Sequence, residues 1–245
     1  MPFFDFLGAQ DPYSEAPGAV TRLNARHAAI LSPLAGEARG ARVYDIAAHD
    51  GRWAYAWAGL GAREVEAVEA RGELIARFDG FPDPAVRARV RLAEGDLHDH
   101  TRMLARSGAR FDIVSVHGIF YHVMDHFGLL RDIALLQPRL VVVDGEFMLR
   151  DAPMIMLTRE RTDNPLNAAP QLPGQKMAVK GVPSRLAMET MADVLGYGCE
   201  WLDWEAAVPV GQRSQIRDYY RKGRMRRATC FLRPRSGPGR ERAAT

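Results

Sequence analysis

Between Ala41 and Asp144 the chain repeats one pattern: a short apolar, β-branched run, a turn of small or acidic residues, then a longer segment with apolar residues at helical spacing. A run of near-continuous apolarity reads as a buried strand and a 3.6-residue period as a helix, so each repeat is a β-α unit. Successive units of this kind give a parallel sheet flanked by helices. Strands are expected at 41–46, 64–69, 111–116 and 139–144, with a weaker one at 89–94. Crossover helices are expected near 52–60, 72–78, 100–106 and 126–136. Right-handed crossovers leave a ligand crevice outside the carboxyl ends of the strands.

The flanks fit the same plan. Val20 to Leu31 has helical apolar spacing and is expected to cover an edge of the sheet. Residues 148–181 are rich in Pro, Asn and Gln without clear periodicity, and a loop of that length in a compact domain suggests a functional lid. Ser184 is placed to cap a helix over 186–195, with Gly196 just past its end. Two last strands, 199–204 and 225–232, would close the sheet as an antiparallel pair. The expected fold is an α/β, Rossmann-like three-layer sandwich with a seven-stranded, mostly parallel sheet and a carboxyl-terminal antiparallel hairpin. It forms a single domain over 1–235, followed by a disordered tail at 236–245.

A chain of 245 residues, 47% of them hydrophobic, can bury one large core. Two cysteines in apolar surroundings argue against a disulfide framework and for a reducing compartment. No apolar run approaches about 18 residues, and the first seven residues do not read as a secretory signal, so a cytoplasmic protein with no membrane association is expected. The net charge of +3 is unevenly spread: Arg213, Arg217, Arg221, Lys222, Arg224, Arg226, Arg227, Arg233 and Arg235 crowd the end of the chain. Such a cluster can track phosphates; a solvated last strand and tail accounts for it equally simply.

The most informative segment is VYDIAAHDGRW, Val43 to Trp53. An apolar strand ends at Asp45, and the turn that follows is built from small residues, Ala47, Ala48 and Gly51, interrupted by His49 and Asp50. Little side chain stands between a ligand and this backbone, and the helix that follows offers free N–H groups. Asp45 can accept from a ligand ammonium. A pyrophosphate would want G-x-G-x-x-G at this turn, and only Gly51 is present. Glu69 closes the second strand about 20 residues on, where an acidic residue can bridge ribose hydroxyls. After the third strand, Asp96 can accept from an adenine amino group while Leu97 covers the ring, although a plain Gly-Asp turn reads the same way.

These elements, in this order, resemble the class I S-adenosylmethionine-dependent methyltransferase superfamily, whose loop reads D-x-G-x-G-x-G; here Ala47 and His49 stand at the first two loop glycines. The loop is closest to a branch reading D-I-G-A-x-D-G. Gly118-Ile119-Phe120-Tyr121-His122 is similar to the G-h-x-Y-H segment of methyltransferases that include tRNA wobble-uridine carboxymethyltransferases, and Gly181 to Gly196, followed by Tyr197, resembles a helix of the same branch. The resemblance implies S-adenosyl-L-methionine as cofactor and S-adenosyl-L-homocysteine as product. Asp45, Ala47, His49, Asp50 and Gly51 would hold the methionine portion, Glu69 the ribose, Asp96 and Leu97 the adenine, with His117 and Gly118 nearby.

Methyl transfer from a sulfonium needs alignment and exclusion of water more than an obligatory triad, but a proton must leave the nucleophile. Tyr121 and His122 are the expected catalytic residues, facing a small-molecule acceptor with an oxygen, nitrogen or sulfur nucleophile. They could equally be packed, hydrogen-bonded residues at a helix start. His98 and His100 with Asp96 and Asp99 lack a metal-site spacing, and no metal is expected. Trp53, Tyr55 and Trp57 read as core or crevice wall, and Trp201 and Trp204 as packing residues. Two other readings stay open: an RNA-modifying transferase, with methyl or carboxymethyl chemistry, and a cofactor-binding domain without catalysis.

Overall fold

A computed structural model describes residues 2–164 and 166–235; the expected tail at 236–245 lies outside them. Seven strands form one sheet: β1 (Arg42–Ile46), β2 (Glu64–Glu69), β3 (Val90–Glu94), β4 (Ile113–His117), β5 (Leu140–Met148), β8 (Tyr197–Trp201) and β9 (Met225–Pro234), while β6 (Ile155–Arg161) and β7 (Met177–Pro183) pair separately. The order is β3-β2-β1-β4-β5-β9-β8. The first five strands run parallel, and β9 runs antiparallel to both β5 and β8. Order reverses between β1 and β4, so the crevice opens where those two strands diverge, at the carboxyl ends of β1, β2 and β4. The mostly parallel sheet and antiparallel close match the expectation from sequence.

Continuous apolar strands are buried on both faces. Val43, Val65, Ala67, Ile113, Leu140 and Val142 join one core cluster, and Tyr44, Ile46, Val68, Val114, Val116, Val141 and Val143 the other. The amino-terminal helix Pro17–Arg26 runs on through a π turn at His27–Leu31. It belongs to the first cluster, and its Arg26 reaches Asp144 in β5. It therefore covers a face of the sheet near its centre rather than an edge, because the apolar stripe of Val20, Leu23 and Ile30 is wide enough to bury there.

Two of the crossover helices differ from the pattern-based ones by more than a residue, while the expected Ser184 cap is present. Asp96 accepts from the backbone N–H groups of His98 (2.8 Å) and Asp99 (3.1 Å), so the helix starts at Leu97 and not at His100. The segment after β2 is a single turn, Gly72–Ile75, continued as a 3-10 turn over Ala76–Gly80. Ser184 caps Arg185–Val194 through the Ala187 N–H at 3.0 Å, and Gly196 takes φ +78° just beyond. The largest difference is in 148–181, where β6 and β7 form a two-stranded antiparallel sheet, Leu157 opposite Gly181 and Arg159 opposite Val179. The sequence hides it because the outward face of this pair is apolar: Ile155, Leu157, Met177 and Val179 are exposed. The inward-out alternation expected of a half-buried strand is thereby inverted.

Candidate active site

The β1 turn is a backbone fold that glycine would take most readily. Ala47 (φ +56°) and His49 (φ +58°) both adopt the left-handed conformation, as does Gly51 (φ +78°). For a residue with a Cβ this costs about 1–2 kcal/mol, and three anchors hold the loop there. The Ala48 N–H donates to Val68 O (2.9 Å), the His49 N–H to Glu69 Oε2 (2.9 Å), and Asp50 is locked beneath the loop. Asp50 is buried and accepts from Tyr13 OH and from Arg52 Nε at 2.6 Å, while a second Arg52 nitrogen contacts His49 Nδ1. Burial alone would raise the Asp50 pKa, but Arg52, His49 and the Tyr13 bond hold it well below the usual range. Asp50 thus serves as an internal anchor for a loop whose left-handed residues are an alanine and a histidine as well as a glycine. Gly51 is fixed sterically as well: a Cβ there would stand 2.6 Å from Phe78 Cδ2.

Asp45, one residue from the end of β1, is buried in the crevice floor, and its Oδ2 has no hydrogen-bond partner among the described residues. Burial pushes its carboxyl up to about 7. Glu69, at the end of β2, is also buried; its two oxygens accept from His49 N and, at 3.1 Å, from Arg71 N. Both carboxylates retain lone pairs for a ligand. Asp96 and Leu97 stand at the neighbouring strand end, Asp96 exposed and Leu97 half-buried. Across the switch point, His117 ends β4. Its ring stacks on Trp53 (centroids 4.5 Å apart), and the Arg26 guanidinium lies 4.8 Å from the centroid of the same Trp53 ring. Neither ring nitrogen of His117 has a hydrogen-bond partner among the described residues, and burial lowers its pKa, which keeps it neutral. Gly118 follows in the left-handed region at φ +81°, its N–H donating to Asp144 O.

Tyr121 and His122 lie in the 3-10 turn Phe120–His122, between β5 and the small sheet. The Tyr121 ring rests on Gly145 of β5, where a Cβ would stand 2.9 Å from its Cδ1. His122 is buried, and its Nδ1 lies 2.5 Å from Oε1 of Glu160 in β6. The other Glu160 oxygen is 3.1 Å from Lys180 Nζ in β7, and the Ala168 N–H donates to Oε1 at 2.8 Å. Burial raises the Glu160 pKa, but the His122, Ala168 and Lys180 contacts outweigh it and hold the carboxyl down at about 2. An ionised Glu160 accepts the Nδ1–H, which leaves Nε2 of His122 as the nitrogen with a lone pair; that nitrogen is buried without a hydrogen-bond partner among the described residues. Lys180 also sits over the Tyr121 ring, 5.1 Å from its centroid.

The small sheet is held at its base by His126, whose Nε2 is 2.8 Å from Gly181 O, and by the bond from Gly181 N to Val123 O at 3.2 Å. At the far side of its connection, Arg71 Nη2 donates to Asn167 O at 3.0 Å, so 148–181 reaches across to the Glu69 end of the crevice. Sequence reasoning brought Asp45, the 47–51 loop, Glu69, His117 and Gly118 to one crevice, and Tyr121 with His122 to its side. It missed Glu160, Lys180, Arg26 and Asp144, and it placed Arg227 only in a basic cluster that tracks phosphates or faces solvent, whereas Arg227 is buried. Of the four, Arg26 carried a local signal, a charge on the apolar stripe between Leu23 and Ile30.

The remaining singled-out residues have structural roles. Nδ1 of His100 lies 3.1 Å from Tyr44 OH and Nε2 is 3.4 Å from Glu66 Oε1, which ties the helix to the sheet. No three metal-ligating side chains converge among the described residues. Cys199 and Cys230 are free thiols. Much of the carboxyl-terminal positive charge is taken up internally: Arg213 pairs with Glu205, Arg221 with Glu146, Arg227 with Asp144, Arg233 with Glu37 and Arg235 with Asp193. No helix of the described residues is long and apolar enough to cross a membrane.

No protein-family model and no curated protein matches the chain. Solved structures do. The N-terminal domain of EvdMO1, crystallised in the presence of SAH and D-fucose, superposes with a TM-score of 0.61 at 17% identity over 88% of this chain and 83% of that one. An S-adenosylmethionine-dependent methyltransferase from Mesorhizobium loti gives 0.56 at 14% identity, over 81% of this chain and 96% of its own. At these identities the likeness is one of fold, the Rossmann-like fold of class I methyltransferases.

Proposed function

We propose that this protein is an S-adenosylmethionine-dependent methyltransferase acting on a small-molecule oxygen, nitrogen or sulfur nucleophile. The observation that carries the reading is the pair of buried carboxylates, Asp45 with an unpartnered oxygen and Glu69, bracketing a left-handed loop at the switch point of the sheet. That donor set fits the ligand: Asp45 suits an amino-acid ammonium, Glu69 a ribose diol, and Asp96 with Leu97 an adenine. Structures sharing the fold support it, since the EvdMO1 domain was solved with SAH bound. The G-h-x-Y-H resemblance supports the placing of acceptor chemistry at Tyr121 and His122.

When bound, S-adenosylmethionine supplies a methyl group already activated on a sulfonium. Asp45, the 47–51 loop, Glu69, Asp96, Leu97, His117 and Gly118 bind and orient it. Glu160 holds His122 in one tautomer, and Nε2 of His122 takes the proton of an acceptor O–H, N–H or S–H. Tyr121 positions the acceptor, and the 148–181 segment serves as a lid that excludes water.

The direct test is methyl transfer from methyl-labelled S-adenosylmethionine to a panel of hydroxy-, amino- and thiol-bearing small molecules. Turnover with at least one class, lost in His122→Gln, is expected. Cofactor binding without turnover on any acceptor would favour a non-catalytic domain, and label transferred to RNA alone would make the RNA-modifying reading correct.

A further inference from the structure

The charges gathered around Asp144 do not balance. This fully buried carboxylate accepts from Arg26 Nη2, from Arg227 Nε (3.2 Å) and Nη2 (3.1 Å), from Tyr219 OH (2.9 Å) and from Thr229 Oγ1 (3.0 Å). Two guanidiniums that cannot lose their charge thus face one acid. Burial would raise the Asp144 pKa, but the Arg227 and Arg26 guanidiniums hold it well below the usual range, so it contributes a single negative charge. His117, 4.0 Å away, adds none. Acids on neighbouring segments are committed to other partners: Asp218 to Arg22 through bonds of 2.5 and 2.6 Å, Glu146 to Arg221, and Glu160 to Lys180 and His122. One positive charge is left over in a largely buried layer, an arrangement that is unfavourable unless a counter-charge arrives.

The surplus has donors with capacity to spare. Arg26 uses Nε on Tyr219 and Nη2 on Asp144, and its Nη1 has no hydrogen-bond partner among the described residues. Arg227 Nη1 reaches only Tyr121 OH, at 3.5 Å, the outer limit of a hydrogen bond. The guanidinium lies 5.8 Å from the centroid of the Tyr121 ring, and that ring is 4.1 Å from the ring of His122. Gly118 keeps the approach open, since a Cβ there would stand 3.4 Å from Arg227 Nη2.

We propose that Arg227, with Tyr121 OH and Arg26 Nη1, binds a carboxylate on the methyl acceptor, so that the substrates are acidic small molecules whose nucleophile lies within one ring's reach of the carboxylate. The proposal rests on the methyltransferase reading. A carboxylate there neutralises the leftover charge, and the same residue pair that holds it brings the nucleophile toward Nε2 of His122.

The test uses benzoate, salicylate and 4-hydroxybenzoate against the corresponding amides, measured by calorimetry on the full chain with and without saturating S-adenosylhomocysteine. Wild type, Arg227→Gln and Arg227→Lys are compared, each first checked for a cooperative thermal transition. At least one acid is expected to bind, its amide not, with the acid weakened roughly ten- to hundredfold in R227Q and partly restored in R227K. Acids and amides that behave alike, or an acid whose binding survives R227Q, overturn the proposal. So does a loss of S-adenosylhomocysteine affinity in R227Q with acid binding unchanged, which would assign the charge to the cofactor's own carboxylate. Failure of the wild type to bind S-adenosylhomocysteine at all would sink the methyltransferase reading separately, and the acid-against-amide comparison without it would still decide this one.

Discussion

Glu160, on a strand of the small sheet, stands 2.5 Å from Nδ1 of His122, on the turn that follows the fourth strand of the large one. The contact joins two units 38 residues apart and fixes which ring nitrogen of His122 is free. A carboxylate held at about 2 stays ionised across the whole working pH range, so the tautomer does not change with pH.

Glu160→Gln should therefore lower kcat by about a hundredfold, the lower end of what a positioned general base contributes, while leaving S-adenosylhomocysteine affinity largely unchanged. The readout that separates orientation from simple packing is rescue by the conservative variant: Glu160→Asp, which keeps a carboxylate, should recover part of the kcat lost in Glu160→Gln. No recovery, with both variants folded, would assign Glu160 a packing role only.

Asp45 makes a pH prediction with a definite sign. An unfolded aspartate titrates near 4, and the folded one near 7. Between those values the folded chain keeps a proton that the unfolded chain releases, so Asp45 lowers stability progressively as pH rises from about 4 to 7. The buried histidines act oppositely: His27, lowered to about 4 by burial, removes stability as pH falls below about 6.5. Comparing wild type with Asp45→Asn isolates the first contribution. The Tm of the variant relative to wild type should climb between pH 5 and pH 8; a constant difference would contradict the assignment.

Gly51→Ala should be destabilising by about 2 kcal/mol or more, since it places a Cβ at φ +78° and drives it to 2.6 Å from Phe78. Denaturant unfolding measures it directly. A loss below about 0.5 kcal/mol would mean that the loop can rearrange, and the left-handed path at Ala47 and His49 would lose its anchor.

Much of this was legible in the sequence because it is local. The strand-turn-helix at Val43 to Trp53, Glu69 at its strand end and the Ser184 cap each depend on neighbours within a few residues. The Asp144 cluster could not be read, because its partners come from opposite ends of the chain: Arg26 from the first helix, Tyr219 and Arg227 from the last segment. Glu160 and Lys180 could not be read because they meet His122 and Tyr121 only once the small sheet has formed. The β6–β7 sheet was hidden for another reason. Its outward residues, Leu157 and Val179, are apolar, and its buried Glu160 is charged, which reverses the pattern by which a half-buried strand is recognised.

The central claim is that Asp45, Glu69 and the loop between them hold S-adenosylmethionine. Calorimetry of S-adenosylhomocysteine on wild type and Glu69→Ala tests it most directly. Micromolar binding that weakens by about 1–3 kcal/mol in the variant, the scale for stranding buried polar partners, is the predicted result. A folded wild type that does not bind, or a variant that binds equally well, would contradict it.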